Sequence, residues 1–309
     1  MTLTELKYIV AVARERHFGR AAEACLVSQP TLSVAVKKLE DELDVKLFER
    51  GTSEVGITPL GEQIVRQAQR VIEQVGAIKD IAKRGKDPLA GALSLGIIYT
   101  IGPYLLPELV KHAIARMPQM PLMQHENFTV RLLEMVRSGE LDCAIMAEPF
   151  PDAGLATAAL YDEPFVVALP KAHPLAKRRA ISAEELKQET MLLLGTGHCF
   201  RDHVLEVCPE FARLASHAEG LRKSFEGSSL ETIKHMVASG MGITVVPQLS
   251  VQPTLQPSSN FLTYIPFSKP VPTRRVVLVW RRSFTRYEAI AALRNAVYAC
   301  ALEGVKRLS

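Results

Sequence analysis

Two cysteines, Cys199 and Cys208, bracket a short stretch whose other residues are suited to thiol chemistry. An apolar strand end, Met191 to Leu194, runs into the turn Gly195-Thr196-Gly197. A short amphipathic helix follows, closed by Pro209, which disfavours helix at the residue before it. Cys199 sits at the predicted helix N-terminus with His198 beside it and Arg201 and His203 nearby, all of which favour thiolate. Cys208, among Val204, Leu205 and Val207, lacks that company, so the pair reads as an attacking and a resolving cysteine.

Helix geometry constrains the pair. Nine helical residues rise about 13 Å and turn the two sulfurs to different sides, whereas a disulfide needs Cα atoms within about 7 Å. The cysteines can meet only if this helix melts, which would make the segment a two-state element. Two other readings stand beside this one. Cysteine is among the most often buried residues, so both thiols could be plain core residues. His198, Cys199, His203 and Cys208 could also hold zinc, although the chain offers no CxxC or HxxxH pair there. No metal and no cofactor are expected.

These residues need elements to position them, and the 309-residue chain has room for two or three domains. Its 48% hydrophobic and 23% charged content is that of a globular protein. The start has no basic stretch followed by an apolar one, and no run of about 18 apolar residues occurs, so a cytoplasmic protein without membrane contact is expected. Five cysteines in a reducing compartment make any disulfide a transient one. The net charge of +4 says little about partners. Residues 1 to 58 carry eight Lys and Arg against nine Asp and Glu, so nucleic-acid binding must rest on where the charges sit.

Residues 3 to 16 predict a helix on the stripe Leu3, Leu6, Ile9, Val10 and Ala13. Phe18 to Ala24 predicts a second. Ser28 is a good N-cap, and Pro30 is tolerated in the first turn of a third helix ending near Leu43. The inner face of that helix is Leu32, Ala35, Val36, Leu39 and Leu43, which leaves Gln29, Ser33 and Lys37 outside. This is the helix-turn-helix layout, whose last helix enters the major groove of double-stranded DNA. Gln29, Pro30, Thr31, Ser33 and Lys37 are its candidate DNA-contacting residues, with Arg20, Lys38 and Arg50 for phosphates and a hairpin-like wing over Ser53 to Thr58. The bland alternative is a solvated face of an ordinary helix bundle.

From Pro59 the residues Ile64, Ala68, Val71, Val75, Ile78 and Ala82 recur at heptad spacing, predicting a long helix that pairs with its own copy. Lys83 to Pro88 then reads as a hinge. Beyond it strands alternate with helices, which predicts an α/β fold with mostly parallel sheets in two lobes. Ligands of such folds bind beyond strand C-terminal ends, where Thr100, Thr129 and Gly195 to Cys199 fall.

Phe18-Gly19-Arg20-Ala21-Ala22, Ser28-Gln29-Pro30-Thr31-Leu32-Ser33, Leu47-Phe48-Glu49-Arg50, Thr58-Pro59 and Gly61 together resemble the LysR-type transcriptional regulators, and the layout matches over the whole chain. Three further segments resemble the hydrogen-peroxide-sensing members of that family: Tyr99 to Tyr104, Glu126 to Thr129, and Gly197 to Asp202 with Cys208. The resemblance implies a winged helix-turn-helix over 1–58, a linker helix and hinge over 59–87, and an α/β regulatory domain over 88–309. That domain would have two periplasmic-binding-protein-like lobes, about 88–162 with 268–309 and about 163–267. It implies a tetramer that works with RNA polymerase as an activator of oxidative-stress genes. It also implies that Cys199 is peroxidatic and Cys208 resolving, with Thr100, Thr129, His198, Asp202 and Arg274 around the peroxide. Arg275, next to Arg274, competes for the last role. Cys25, Cys143 and Cys300 match no motif. The competing functions are a regulator of the same family answering to a small organic co-inducer, and a thiol peroxidase. Neither a helix-turn-helix nor a heptad linker serves a peroxidase.

Overall fold

The computed structural model describes residues 1–50, 55–84, 89–211, 224–227, 229–251 and 261–308. The chain divides into two compact units, Met1–Asp87 and Pro88–Ser309.

The first unit begins with α1 (Leu3–Glu15), α2 (Phe18–Ala24) and α3 (Gln29–Leu43). A capping box starts α1: the Thr2 hydroxyl accepts from the Glu5 amide, and the Glu5 carboxylate accepts from the Thr2 amide at 2.7 Å. Ser28 caps α3 by accepting from the Thr31 amide, and Asp44 ends it in a left-handed conformation. Leu32, Val36 and Leu39 are buried against Ile9, Val12 and Ala21, so the predicted inner face of α3 is the observed one. A short hairpin of β1 (Phe48–Arg50) and β2 (Val55–Ile57) follows. Of the expected wing, Ser53 and Glu54 lie outside the described residues. The long helix α4 (Pro59–Arg84) comes next. Its Gly61 is required, because a Cβ there would stand 2.2 Å from the Leu47 carbonyl oxygen. Of the expected hinge, residues 85–88 lie outside the described residues.

The heptad stripe of α4 is divided between two surroundings, which corrects the expectation that all of it faces a second copy. Ala68 is 3% exposed and, with Ile64, Val65 and Ile72, packs into the core of its own unit. Further along, Val71 and Ile78 are exposed. The physical reason is that α1 lies along the first half of α4 and already covers that part of the stripe.

In the second unit, β3 (Leu93–Ile98), α5 (Gly102–Arg116), β4 (Leu122–Asn127), α6 (Thr129–Ser138) and β5 (Cys143–Ala147) form a parallel βαβαβ arrangement with β3 in the middle. The 16-residue strand β6 (Leu155–Pro170) changes partners along its length. Its first part pairs with β11 (Thr273–Arg281) and with β12 (Lys306–Arg307). Its last part pairs with β9 (Thr244–Pro247) and β10 (Leu262–Pro266). Between these come α7 (Ala183–Leu186), β7 (Met191–Leu194), α8 (Cys199–Val207), β8 (Ser224–Gly227) and α9 (Leu230–Ala238), with α10 (Tyr287–Ala299) after β11. Ser229 caps α9 by accepting from the Thr232 amide at 3.2 Å.

The sheets are mixed, not mostly parallel. β11 runs antiparallel to both β5 and β6, and β9, β10 and β12 run antiparallel to β6. β10 and β11 both pair with β6, one after the other along its length, so β6 passes from one group of strands to the other as a single strand. In its first half Ala156, Ala158 and Ala159 carry little strand signal.

Replacing Ala68 with Asp should therefore destabilise the first unit by about 3 kcal/mol or more at every protein concentration, since it puts an unpaired charge in a core. Ile78→Asp, at a side chain 66% exposed, should leave the stability of the dilute chain unchanged. Urea unfolding of the full chain at several concentrations checks both; an unchanged midpoint for Ala68→Asp would contradict the packing of α4.

Candidate functional site

Three chain segments converge beyond the C-terminal ends of β3, β4 and β7. Ile98, Tyr99 and Thr100 follow from β3, Asn127, Phe128 and Thr129 from β4, and Gly197, His198 and Cys199 lead into α8; together they line one small cavity. The free space inside it has room for about one water-sized molecule. Cys199 is the first residue of α8 and His198 its N-cap, while Thr129 is the first residue of α6. Gly197 has a φ of +97°, which the turn into α8 requires.

Arg274 of β11 does not itself line the cavity but holds Thr100, which does. This guanidinium is 2% exposed and is held on every side. Its Nε donates to the Glu163 carboxylate at 2.9 Å, Nη1 donates to the Thr100 hydroxyl at 2.8 Å, and Nη2 donates to the Thr100 carbonyl at 2.9 Å. Glu163 is buried as well, and its other oxygen accepts from the Leu249 amide at 2.8 Å. The guanidinium also lies 5.1 Å from the centroid of the Phe200 ring. Arg275 is different: it is exposed and pairs with Asp162 at the surface.

Cys199 is half-buried, and burial pushes its thiol up. The Thr129 hydroxyl and the Arg274 charge pull it down, and the Asp202 carboxylate pushes it up again, leaving it above its ordinary value. The Thr129 hydroxyl is buried without a hydrogen-bond partner of ordinary geometry and lies beside the sulfur, close enough to favour thiolate.

The expected thiolate-favouring company is thus only partly present. Arg201 donates to the Leu194 carbonyl at 2.9 Å, which ties α8 back to the end of β7. His203 is buried with Nε2 2.7 Å from the Glu148 carbonyl oxygen, and burial holds it below the usual histidine value, so it is neutral near pH 7. Asp202 is exposed in the first turn of α8 and does not line the cavity. Each sits where the turn of the helix carries it. The helix turns Arg201, two positions on, away from Cys199; Asp202 and His203, three and four positions on, share its side of α8, but Asp202 is exposed and the His203 ring is drawn to the Glu148 carbonyl.

Cys208 closes α8 as its C-cap, with its amide donating to the Val204 carbonyl at 2.9 Å. It is fully buried, and burial, with the charge of Glu210, pushes its thiol up to about 12. Both cysteines are free thiols. Cys143 and Cys300 are buried with raised thiols, and Cys25 is half-buried. Among the described residues no group of His, Cys, Asp and Glu could hold a metal ion.

Sequence reasoning passed over Glu163 and Phe200, and it did not single out Tyr99 or Phe128. The available signal for Glu163 was an acid just before the apolar run Phe165 to Leu169, because a carboxylate is seldom buried without a partner.

In the first unit Gln29, Pro30, Thr31 and Lys37 are exposed along α3 and Ser33 is half-buried. The Thr31 hydroxyl is hydrogen-bonded to that of Ser28 at 2.8 Å. Arg20 is exposed and donates to the Glu15 carbonyl at 2.7 Å, and Lys38 pairs with buried Glu5 at 3.2 Å. Arg50 ends β1, and its side chain lies outside the described residues.

A thiol held above its ordinary value gains thiolate as pH rises. Alkylation of Cys199 by iodoacetamide, followed by peptide mass spectrometry, should therefore accelerate steadily from neutral pH to above pH 9.0. A rate already level below pH 7 would contradict the dominance of burial.

Comparison with known proteins places this geometry in a family. The model described as bacterial regulatory helix-turn-helix protein, lysR family, matches residues 3–62, and the LysR substrate binding domain matches residues 86–299. The DNA-binding transcriptional dual regulator OxyR of Escherichia coli K12 is 39% identical over 294 residues, covering 94% of each chain. Full-length OxyR of Pseudomonas aeruginosa, solved as a cysteine-to-aspartate variant, is 50% identical. It has a TM-score of 0.79 and covers 100% of this chain and 98% of its own. A hydrogen-peroxide-bound cysteine variant of OxyR from Corynebacterium glutamicum is 32% identical with a TM-score of 0.62, covering 96% of this chain and 91% of its own. With a lysR-family helix-turn-helix at its start, a LysR substrate-binding domain over most of the rest, and these relatives along nearly its whole length, the chain belongs to the LysR family of bacterial regulators.

Proposed function

We propose that this chain is a DNA-binding transcriptional regulator that senses hydrogen peroxide through Cys199 and stores the signal as a reversible Cys199–Cys208 disulfide. One observation carries the reading: a free thiol opens α8 over a cavity fit for one very small molecule, and a second free thiol is buried at the other end of the same helix. The free space beside Cys199 suits a molecule near the size of water better than an organic co-inducer. The peroxide-bound and other OxyR relatives support the choice of ligand.

The first step is attack of the Cys199 thiolate on one peroxide oxygen. The sulfur gives two electrons, an S–O bond forms and the O–O bond breaks. Hydroxide leaves and takes up a proton as water, and Cys199 remains as sulfenic acid. The Thr100 hydroxyl already accepts from Arg274, so its own proton is free to donate into the cavity. Thr100, Thr129 and His198 hold the peroxide, and Arg274 steadies the negative charge that grows on the leaving oxygen. Asp202 acts only through its charge. In the second step the Cys208 sulfur displaces the sulfenic hydroxyl as water, forming the disulfide. A thiol at about 12 inside a core is almost wholly protonated, and the helix holds it too far away. Unwinding of α8 removes both obstacles, and the disulfide then holds the rearranged state.

The readout lies in the first unit. Gln29, Pro30, Thr31, Ser33 and Lys37 face promoter DNA, with Arg20, Lys38 and Arg50 toward phosphates. Lys38 serves phosphate only while exposed beside Glu5, with which it is paired. The stripe of α4 that includes exposed Val71 and Ile78 pairs two chains, and two such dimers make the tetramer that works with RNA polymerase in the cytoplasm. The regulatory lobes are taken as 88–162 with 268–309 and 163–267, meeting where β6 changes partners.

Peptide mapping under non-reducing conditions after peroxide treatment tests the switch. Cys199→Ser should be blind to peroxide, and Cys208→Ser should form sulfenic acid at Cys199 without a lasting disulfide. Oxidation at Cys143 or Cys300, with Cys199 untouched and transcription still induced, would refute the reading.

A further inference from the structure

We propose that Tyr99 and Phe128, with the ring of His198, form an aromatic gate that selects the oxidant of Cys199 by size; the inference rests on Cys199 being the peroxide-reactive sulfur. Ile98 and Asn127 are directly paired in the parallel β3–β4 ladder, so the next residues, Tyr99 and Phe128, emerge side by side at the strand ends. Their rings meet edge to face with centroids 5.3 Å apart. Phe128 meets His198 in the same manner at 4.8 Å, and Tyr99 lies 5.9 Å from His198. Three rings thus touch one another, and all three line the cavity that also holds Cys199. Edge-to-face contacts of this kind stabilise a fixed arrangement.

The gate is seated on the backbone that leads into the cysteine. A Cβ added at Gly197 would stand 3.3 to 3.5 Å from three atoms of the Phe128 ring, so the ring lies directly against this turn. Tyr99 and Phe128 are each 38% exposed, so one side of each ring faces solvent and the other faces the cavity. Two large aromatic side chains left this exposed gain little burial, yet both line the cavity that Cys199 lines. Behind them the floor is fixed by the buried Arg274–Thr100 contacts and does not retreat. A molecule little larger than water fits between floor and gate. A hydroperoxide carrying a phenyl group does not fit unless the rings move.

The chemistry at the sulfur is the same for either oxidant. The thiolate takes the terminal hydroxyl of the hydroperoxide, the O–O bond breaks, and the alkoxide that leaves gains a proton to become an alcohol. Selectivity therefore resides in access, and it is read as the ratio of two rate constants for one sulfur.

The test follows loss of the Cys199 thiol in the full-length chain by quenched-flow peptide mass spectrometry, with hydrogen peroxide and with cumene hydroperoxide. Phe128→Ala and Tyr99→Ala, which open the gate from different strands, should each lower the hydrogen peroxide to cumene hydroperoxide rate ratio by about tenfold or more, the scale of discrimination that a few apolar atoms supply. Tyr99→Phe, which keeps the ring, should retain the wild-type ratio. A wild-type Cys199 that reacts with hydrogen peroxide, together with an unchanged ratio in both alanine variants, would overturn the gate alone. A wild-type Cys199 inert to hydrogen peroxide would overturn the sensing reading and the gate with it.

Discussion

A buried guanidinium is the constraint from which the rest of the regulatory unit follows. Taking Arg274 out of water costs several kcal/mol unless its charge and its donors are all matched, and the loss of one partner from such a pair typically costs about 3 to 5 kcal/mol. Glu163 supplies the opposite charge and Thr100 supplies two acceptors, one from its side chain and one from its backbone. Three distant parts of the chain, β6, β11 and the turn after β3, are thereby fixed to one another. The fixed point falls where β6 passes from one set of partners to the next. The turn after β3 carries Thr100 and Tyr99, so the same cation that ties the fold also sets the floor and one wall of the cavity.

The second constraint is helical geometry. α8 is short, starts at Cys199 and is closed by Cys208, so while it remains a helix its two thiols cannot meet. Phe200 anchors the first turn beneath Arg274, His203 anchors the middle through the Glu148 carbonyl, and Cys208 is sunk in the core at the far end. Those contacts hold the reduced arrangement. Both thiols are pushed up by burial, Cys208 to about 12, so the folded segment protects its resolving cysteine from reaction. In the proposed switch, oxidation at one end of the helix stabilises a conformation in which the other end has left the core. A helix with both ends engaged has few intermediate states available, which suits a signal that must be either on or off.

Much of this was legible in the residues alone. The capped third helix announced itself through Ser28, Pro30 and the stripe Leu32, Val36 and Leu39, and the strand Met191–Leu194 through its short apolar run. The bounds of α8 followed from Gly197 and Pro209. What was not legible depended on long-range partners. The antiparallel placement of β11 reflects which strand it lies beside, which no local pattern records. Arg201 and His203 are close to Cys199 in sequence, yet their side chains are taken by the Leu194 and Glu148 carbonyls. The heptad stripe of α4 was found as a pattern, but only the packing of α1 reveals that Ala68 is already covered. Glu163 acquires its meaning solely from Arg274, more than a hundred residues later.

The central claim is that forming the disulfide and keeping α8 are mutually exclusive. Hydrogen–deuterium exchange on the full-length protein, reduced and then fully oxidised by peroxide, measures this directly at the amides of α8. The Cys208 amide is bonded to the Val204 carbonyl at 2.9 Å in the reduced form and should exchange slowly there. Once the Cys199–Cys208 bond has formed, protection should be lost across residues 201 to 208 while the strand Cys143–Ala147 keeps its own. A disulfide-bonded protein whose α8 amides remain as protected as in the reduced form would contradict the account.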